Sequence, residues 1–218
     1  MRFVLASASP ARLGRLRAAG VDPLVRVSGV DEDAVAAAMD APTPAELVLA
    51  LALAKARDVV GEVAAEIDGP AVVVGCDSML SFDGEVVGKP GTEDVARERW
   101  GRMAGGSGEL LTGHAVLRVA DGEVRAEATG TQTTTVYFGR PSDAELAAYL
   151  ATGEPLRVAG AFTIDALGGW FVEGIDGDPS SVIGISLPLT RRLLAEVGVD
   201  LVAVWSGRQT QAQGQARS

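Results

Sequence analysis

The sequence predicts an α/β protein with a mixed, twisted sheet and flanking helices, and three observations carry that expectation. β-Branched runs such as Ala71-Val72-Val73-Val74 read as buried strands, while TPAELVLALALAKARDVV and PSDAELAAYLATG carry helix-start signals and helical spacing. Two Asp-Gly pairs, Asp83-Gly84 and Asp121-Gly122, stand between extended runs and predict hairpin turns. Helices and strands alternate irregularly, with hairpins among them, which fits a mixed sheet better than a regular doubly wound one.

Taken in order, RFVLAS is a short buried strand, followed by a helix that Ser9 caps and Pro10 opens, ending near Gly20. VDPLVRVSG is extended, and DEDAVAAAMD is a short helix or loop. Thr43 to Glu66 reads as one long helix, apolar enough to be buried on most sides, with Lys55 near its end. PAVVVGCDSML is a central strand and FDGEVVGKPG its return. TEDVARERWGRMAG is a capped helix, LLTGHAVLRVADG and EVRAEATGTQTTTVYFG are strands, and PSDAELAAYLATG is a second capped helix. AGAFTIDALGGWFVEGIDGDPSSVIGISLPL reads as Gly-rich strand and loop, LTRRLLAEVGV as a closing helix and DLVAVW as a last short strand. One domain is expected over residues 1–205, with a polar, disordered tail at 206–218.

Composition narrows the function classes. A net charge of −10 with no Lys/Arg run argues against a nucleic-acid polymer as partner. It leaves room for a small anion, because a few local cations and a bound metal dominate a single cleft. The only cysteine, Cys76, permits no intramolecular disulfide, and the only histidine, His114, permits no multi-histidine metal cluster. FVLA is too short for a signal-peptide core and ELVLALALAKA too short to span a membrane, so a cytoplasmic, membrane-free protein is expected.

Several positions carry candidate chemistry, each with a plain structural alternative. Ser7, Ser9 and Arg12 surround the start of a helix, where free N–H groups, hydroxyls and a guanidinium hold phosphate; an ordinary helix cap is the alternative. Asp77 ends a buried strand, followed by Ser78; a carboxylate there holds a metal or activates water, or simply caps a turn. Glu32, in the acidic triplet Asp31-Glu32-Asp33, is a metal ligand or a solvated helix start. Lys55 reaches a polar cleft or snorkels, and Lys89 of Gly88-Lys89-Pro90 meets phosphate or solvent. Together these form the set needed to hold a polyphosphate and a divalent metal while water attacks phosphorus. Walker and dinucleotide-binding glycine motifs are absent from the chain. His114, Cys76 and the three tryptophans, Trp100, Trp170 and Trp205, read as packing residues, with Trp170 close to a candidate nucleotide-facing loop.

LASASPAR resembles the LASxSPRR signature of the Maf family of nucleoside triphosphate pyrophosphatases. The resemblance continues in order through VSGVDED, LALAKA, GCDSML, GEVVGKP, TTTVYF, AAYLATGEP, AGAFTID and IDGDPSSVIGISLPL, nearly the whole chain. It implies two lobes around a central cleft, a possible homodimer, and hydrolysis of nucleoside triphosphates to monophosphate and diphosphate with Mg²⁺ or Mn²⁺. On that resemblance Asp77 is the proton acceptor and, with Glu32, a metal ligand; Lys55 and Lys89 are cleft cations; Ser7, Ser9, Arg12 and Ser78 bind substrate. The family's older association with septum formation implies an alternative, a nucleotide-binding regulator of division with little turnover. The chain departs from the pattern at Ala11, Gly106, Gly108 and Val158, where the family carries arginine, histidine or lysine, and at Asp165, where it carries glutamine. Asp165 then either accepts from a base edge or repels a substrate.

Overall fold

The computed structural model describes residues 1–205, so the tail expected at 206–218 lies outside the described residues. In chain order the elements are β1 (Arg2–Leu5), α1 (Pro10–Ala18), β2 (Leu24–Val25), α2 (Glu32–Ala37), α3 (Pro44–Asp58), α4 (Val60–Glu66), β3 (Ala71–Phe82) and β4 (Glu85–Val87). There follow α5 (Glu93–Met103), β5 (Ser107–Ala120), β6 (Glu123–Phe138), α6 (Asp143–Ala151), β7 (Val172–Asp176), α7 (Pro179–Val182) and α8 (Leu187–Glu196). The strands form one mixed sheet in the order β2-β1-β3-β5-β6-β7, with β4 on β3. β1 runs parallel to both β2 and β3, and β4 and β7 pair antiparallel with β3 and β6. Both expected hairpin turns form, with positive φ at Asp83 and Gly84 and at Asp121 and Gly122, the conformation that matches strand twist in two-residue turns.

By internal contacts the chain divides into two compact units, one of residues 1–77, 113–131 and Leu187 onward, the other of residues 78–112 and 132–186. The first is built on α3. Thr43 and Glu46 form a reciprocal capping box, and Pro44 occupies the first turn, where no N–H is needed. The helix lays Ala52 and Ala56 on Val4, Val73 and Leu117. It comes so close that glycine is required beneath it. A Cβ on Gly75 of β3 would strike the Ala52 carbonyl, and one on Gly113 of β5 would strike the Val48 carbonyl. The second unit is organised by Trp100 of α5, fully buried, with Phe138, Tyr149 and Phe171 edge-on to it at 5.8–6.2 Å. Its indole N–H donates to the Ala161 carbonyl at 2.8 Å, which removes the cost of burying a polar atom.

Three expectations are corrected. The long helix is broken at Val59, between α3 and α4, within a pair of β-branched residues that fit helices poorly. Residues 201–205 are helical rather than a strand, because Asp200 caps them: its carboxylate accepts from the Val202 amide at 2.8 Å. Of the tryptophans expected to pack, Trp170 is 86% exposed and Trp205 is also exposed. His114 and Cys76 are fully buried, as expected for core residues. No helix among the described residues is long and apolar enough to cross a membrane.

Gly75→Ala is expected to destabilise the protein by about 2 kcal/mol in chemical denaturation. The entropic gain of losing a glycine, about 1 kcal/mol at most, is outweighed because the obstructing Ala52 oxygen is backbone and cannot swing aside. Burial, set against the smaller opposing pull of Arg12 and Lys55, pushes the Cys76 thiol up to about 11. At pH 8 the thiol should therefore react with a disulfide reagent only at the rate of global unfolding; fast labelling in buffer would contradict that burial.

Candidate active site

β1 and β3 are parallel, with Leu5 opposite Val74 and the Ala6 amide donating to the Val74 carbonyl at 2.9 Å. β1 stops at Leu5, whereas β3 runs on to Phe82. Ser7 therefore leaves the sheet just past the end of β1, and Asp77 lies inside β3, beyond the point where β1 stops pairing with it, rather than at the end of a strand as the sequence suggests. The turn after β1 is fixed by its own serines. Ser7 Oγ accepts from the Ser9 amide at 3.3 Å and from the Arg12 guanidinium at 2.9 Å, and Ser9 Oγ accepts from the Arg12 amide at 3.4 Å. Ser9 is thus the N-cap of α1, and Arg12 folds back over the same turn. The result is a helix N-terminus with a guanidinium laid beside it, an arrangement suited to phosphate oxygens.

Lys55 joins two carboxylates. Its Nζ lies 2.6 Å from Glu32 Oε1 and 2.6 Å from Asp77 Oδ1. The Lys55 and Asp77 side chains are only 11% and 10% exposed, whereas Glu32 is 51% exposed and reaches in from solvent. Local structure explains each placement. Lys55 is three residues past Ala52 on α3 and so shares the face pressed against Gly75, two residues before Asp77. Glu32 opens α2, which Asp31 caps by accepting from the Ala34 amide at 3.0 Å. The approach to α2 is tied to α3 itself: the Gly29 amide donates to Asp58 Oδ2 at 2.7 Å. The three formal charges sum to −1.

The donor set fits a magnesium-like ion. Such ions take hard oxygen ligands and commonly use one or two carboxylates, completing their shell with phosphate oxygens and water. Glu32 and Asp77, held within reach of one ammonium, supply two such carboxylates. Among the described residues there is no group of three or more His, Cys, Asp or Glu that could hold a metal ion.

The second unit holds the other candidates. Ser78 Oγ pairs with Thr112 Oγ1 at 3.0 Å, and Thr112 donates in turn to the Ser181 carbonyl at 3.0 Å, so Ser78 is anchored in a hydroxyl network. Lys89 is exposed. The loop behind it is pinned at Gly88, whose carbonyl accepts from the Arg99 guanidinium at 2.6 Å and from the Gly160 amide at 3.3 Å. Asp165 is exposed at the tip of a loop that ends in a 3-10 turn, Leu167–Phe171.

Two residues of this unit were not singled out from the sequence. Arg99 sets the Lys89 loop, and nothing in TEDVARERW marks it apart from other helix-face arginines. Glu154 sets the Asp165 loop by accepting from Thr163, Leu167 and Gly168. Burial pushes its carboxyl up, but the Thr163 hydroxyl and the two amides outweigh this and hold it below the usual carboxylate value. The Gly-Glu-Pro stretch and the downstream Gly168-Gly169 pair were the available signal, since a carboxylate is a natural acceptor for crowded glycine amides.

The Maf-like protein family model matches residues 2–197. A protein of Saccharopolyspora erythraea named nucleoside triphosphate pyrophosphatase is 69% identical over 206 residues, covering 94% of this chain and 97% of that protein. Proteins of the same name from Rhodococcus jostii and Mycolicibacterium gilvum are 65% and 55% identical, each over 94% of this chain and 98% and 99% of their own lengths. Because the matched span takes in every element from β1 to α8, the chain belongs to the Maf family.

Proposed function

We propose that this chain is a nucleoside triphosphate pyrophosphatase, which hydrolyses its substrate to nucleoside monophosphate and diphosphate. The observation that carries the reading is the Lys55 ammonium set 2.6 Å from both Glu32 and Asp77, with Asp77 on β3 beyond the end of β1 and Ser7 and Arg12 following that end. The names of the relatives, at 55–69% identity over nearly their full lengths, support the same activity.

Arg12 and the N-terminus of α1 hold phosphate oxygens, with Ser7 and Ser9 fixing the turn that presents them. Lys55 keeps the Asp77 carboxylate in one orientation. Asp77 then orients a water and accepts its proton as the water oxygen bonds to the α-phosphorus and the bond to the bridging oxygen of the β-phosphate breaks. A divalent cation held by Glu32 and Asp77 would neutralise charge on the triphosphate and its departing diphosphate. Lys89 is exposed on its pinned loop in the second unit, an ammonium of the kind that phosphate oxygens accept from.

Asp77→Asn removes a charge at nearly constant volume. It is expected to lower kcat by about a hundredfold or more while leaving the melting temperature within a few degrees. Chromatographic product analysis over a panel of nucleoside triphosphates with Mg²⁺ or Mn²⁺ checks this: monophosphate plus diphosphate from the wild type, and neither from the variant. Full turnover by the variant would remove Asp77 from the chemistry. Arg12→Ala is expected to raise KM for the triphosphate by roughly ten- to a hundredfold, the worth of a charge-assisted hydrogen bond, with a smaller change in kcat. An unchanged KM would leave Arg12 as a helix-turn residue only.

A further inference from the structure

Glu32 opens α2, and that helix has little apolar packing to hold it. It lies against α3, yet its residues Glu32–Ala37 include no buried side chain, so polar ties carry much of its placement. One tie is the ion pair of Glu32 with Lys55 at 2.6 Å. That pair by itself is a weak anchor. Glu32 is half exposed, which leaves it side-chain freedom to lose, and Lys55 divides its ammonium between Glu32 and Asp77.

A second tie comes three residues ahead of Glu32. The Gly29 amide donates to Asp58 Oδ2 at 2.7 Å, short for an N–H donor because the acceptor carries charge. Asp58 is the last residue of α3 and stands three positions after Lys55, so the two side chains are neighbours on one helix face. Two points of one segment, Gly29 and Glu32, are thus fastened to two points of one helical turn. Between them Asp31 caps α2, accepting from the Ala34 amide at 3.0 Å, which sets the direction in which the helix leaves the segment. Further back the Arg26 amide donates to the Leu5 carbonyl at 3.0 Å. All of these residues belong to the first unit.

Helix stability does not account for Asp58. The last turn of a helix presents unpaired carbonyls and favours cations, which Lys55 and Arg57 supply there. A carboxylate in that turn is disfavoured unless a donor meets it. Arg57, the adjacent cation, pairs instead with Glu127 at 2.8 Å. The donor that meets Asp58 is the Gly29 amide, on the segment that carries Glu32.

We propose that Asp58 is a positioning residue: by fixing the Gly29 amide it holds Glu32 against Lys55, on the same ammonium as Asp77. The proposal rests on the pyrophosphatase reading, in which Glu32 and Asp77 are the carboxylates toward a divalent cation, and adds to it a residue that acts only through Glu32.

The test compares the full wild-type chain with Asp58→Ala, Asp58→Asn, Glu32→Gln and the double variant Asp58→Ala with Glu32→Gln. The first readout needs no turnover: millisecond hydrogen exchange at the amides of Gly29, Val35 and Ala38. Asp58→Ala is expected to speed exchange there by about fivefold or more, with the amides of α3 unchanged and the melting temperature within about two degrees. Asp58→Asn keeps an acceptor oxygen at the same reach and is expected to stay within about twofold of the wild type. The second readout is steady-state hydrolysis against Mg²⁺ concentration, on the best substrate of a nucleoside triphosphate panel. Asp58→Ala is expected to raise the Mg²⁺ needed for half-maximal rate by about fivefold, with kcat at saturating Mg²⁺ within about twofold. With Glu32→Gln already present, the same substitution is expected to change that requirement by less than about twofold. Should Glu32→Gln be inactive, Mn²⁺ affinity, read from the paramagnetic resonance signal of the free ion, replaces the rate in this cycle. Unchanged exchange at Val35 and Ala38 in Asp58→Ala would overturn the hold on α2. Equal effects of Asp58→Ala in both backgrounds would overturn action through Glu32. A lower kcat and melting temperature with an unaltered Mg²⁺ requirement would reduce Asp58 to a structural tie. Absence of wild-type turnover on every nucleotide would instead defeat the pyrophosphatase reading, and the exchange rates would still decide whether Asp58 places the Glu32 segment.

Discussion

The closeness of α3 to the sheet governs the first unit. Gly75 and Gly113 leave room for the Ala52 and Val48 carbonyls to press on β3 and β5, and no other residue would allow it. Lys55 is carried on the same helical face, so this approach is what brings its ammonium to Asp77. Glu32 arrives by a second route that also ends on α3, through the hydrogen bond from the Gly29 amide to Asp58. A displacement of α3 by a single methyl group therefore disturbs packing and the ion-pair cluster together.

That cluster shows how an acidic chain gathers paired charges at one place on its sheet. The formal charge of −10 is spread over the molecule, yet past the end of β1 and along the adjoining part of β3 the groups are paired or fixed. Lys55, nearly excluded from water, lies 2.6 Å from a carboxylate oxygen of each of its two acids, whereas exposed pairs such as Arg17 with Asp22 contribute little. Arg12 is held by Ser7 just past the end of β1. Placement rather than number of cations sets the potential that a triphosphate would meet there.

Much of this was legible in the sequence wherever the determinant is local. The capping boxes Thr43–Glu46 and Ser142–Glu145, the Ser9-Pro10 helix start and both Asp-Gly turns formed as their residue types require. So did the sheet: the Val72-Val73-Val74 run lies buried at its centre. Legibility failed where structure depends on distant partners. The Gly-rich stretch after Val158 reads as strand and loop, yet it forms 3-10 turns at Ala159–Ala161 and Leu167–Phe171 before β7 begins at Val172, because hydrogen bonds to Glu154 and a tight glycine crossing replace a ladder. Candidate site residues were identifiable one at a time from type and position. That Lys55 would be shared between Glu32 and Asp77 was not, since no spacing rule links the last turn of a helix to a strand residue 22 positions away.

The division of the chain has a bearing on how the protein is born. The first unit draws on three separate stretches, and its last helix, α8, comes after the whole second unit in sequence. Leu189 and Leu193 of α8 pack where Gly130 of β6 leaves space. On the ribosome, then, Ser7, Arg12, Glu32, Lys55 and Asp77 are made first but acquire a completed core only when synthesis is nearly over. The second unit, spanning residues 78–186 with one excursion, can finish earlier. Contacts between such distant stretches make for slow assembly, and the space beside Gly130 of β6 stays open until Leu189 and Leu193 have been made. The unit that carries Ser7, Arg12, Glu32, Lys55 and Asp77 is therefore begun first and closed last.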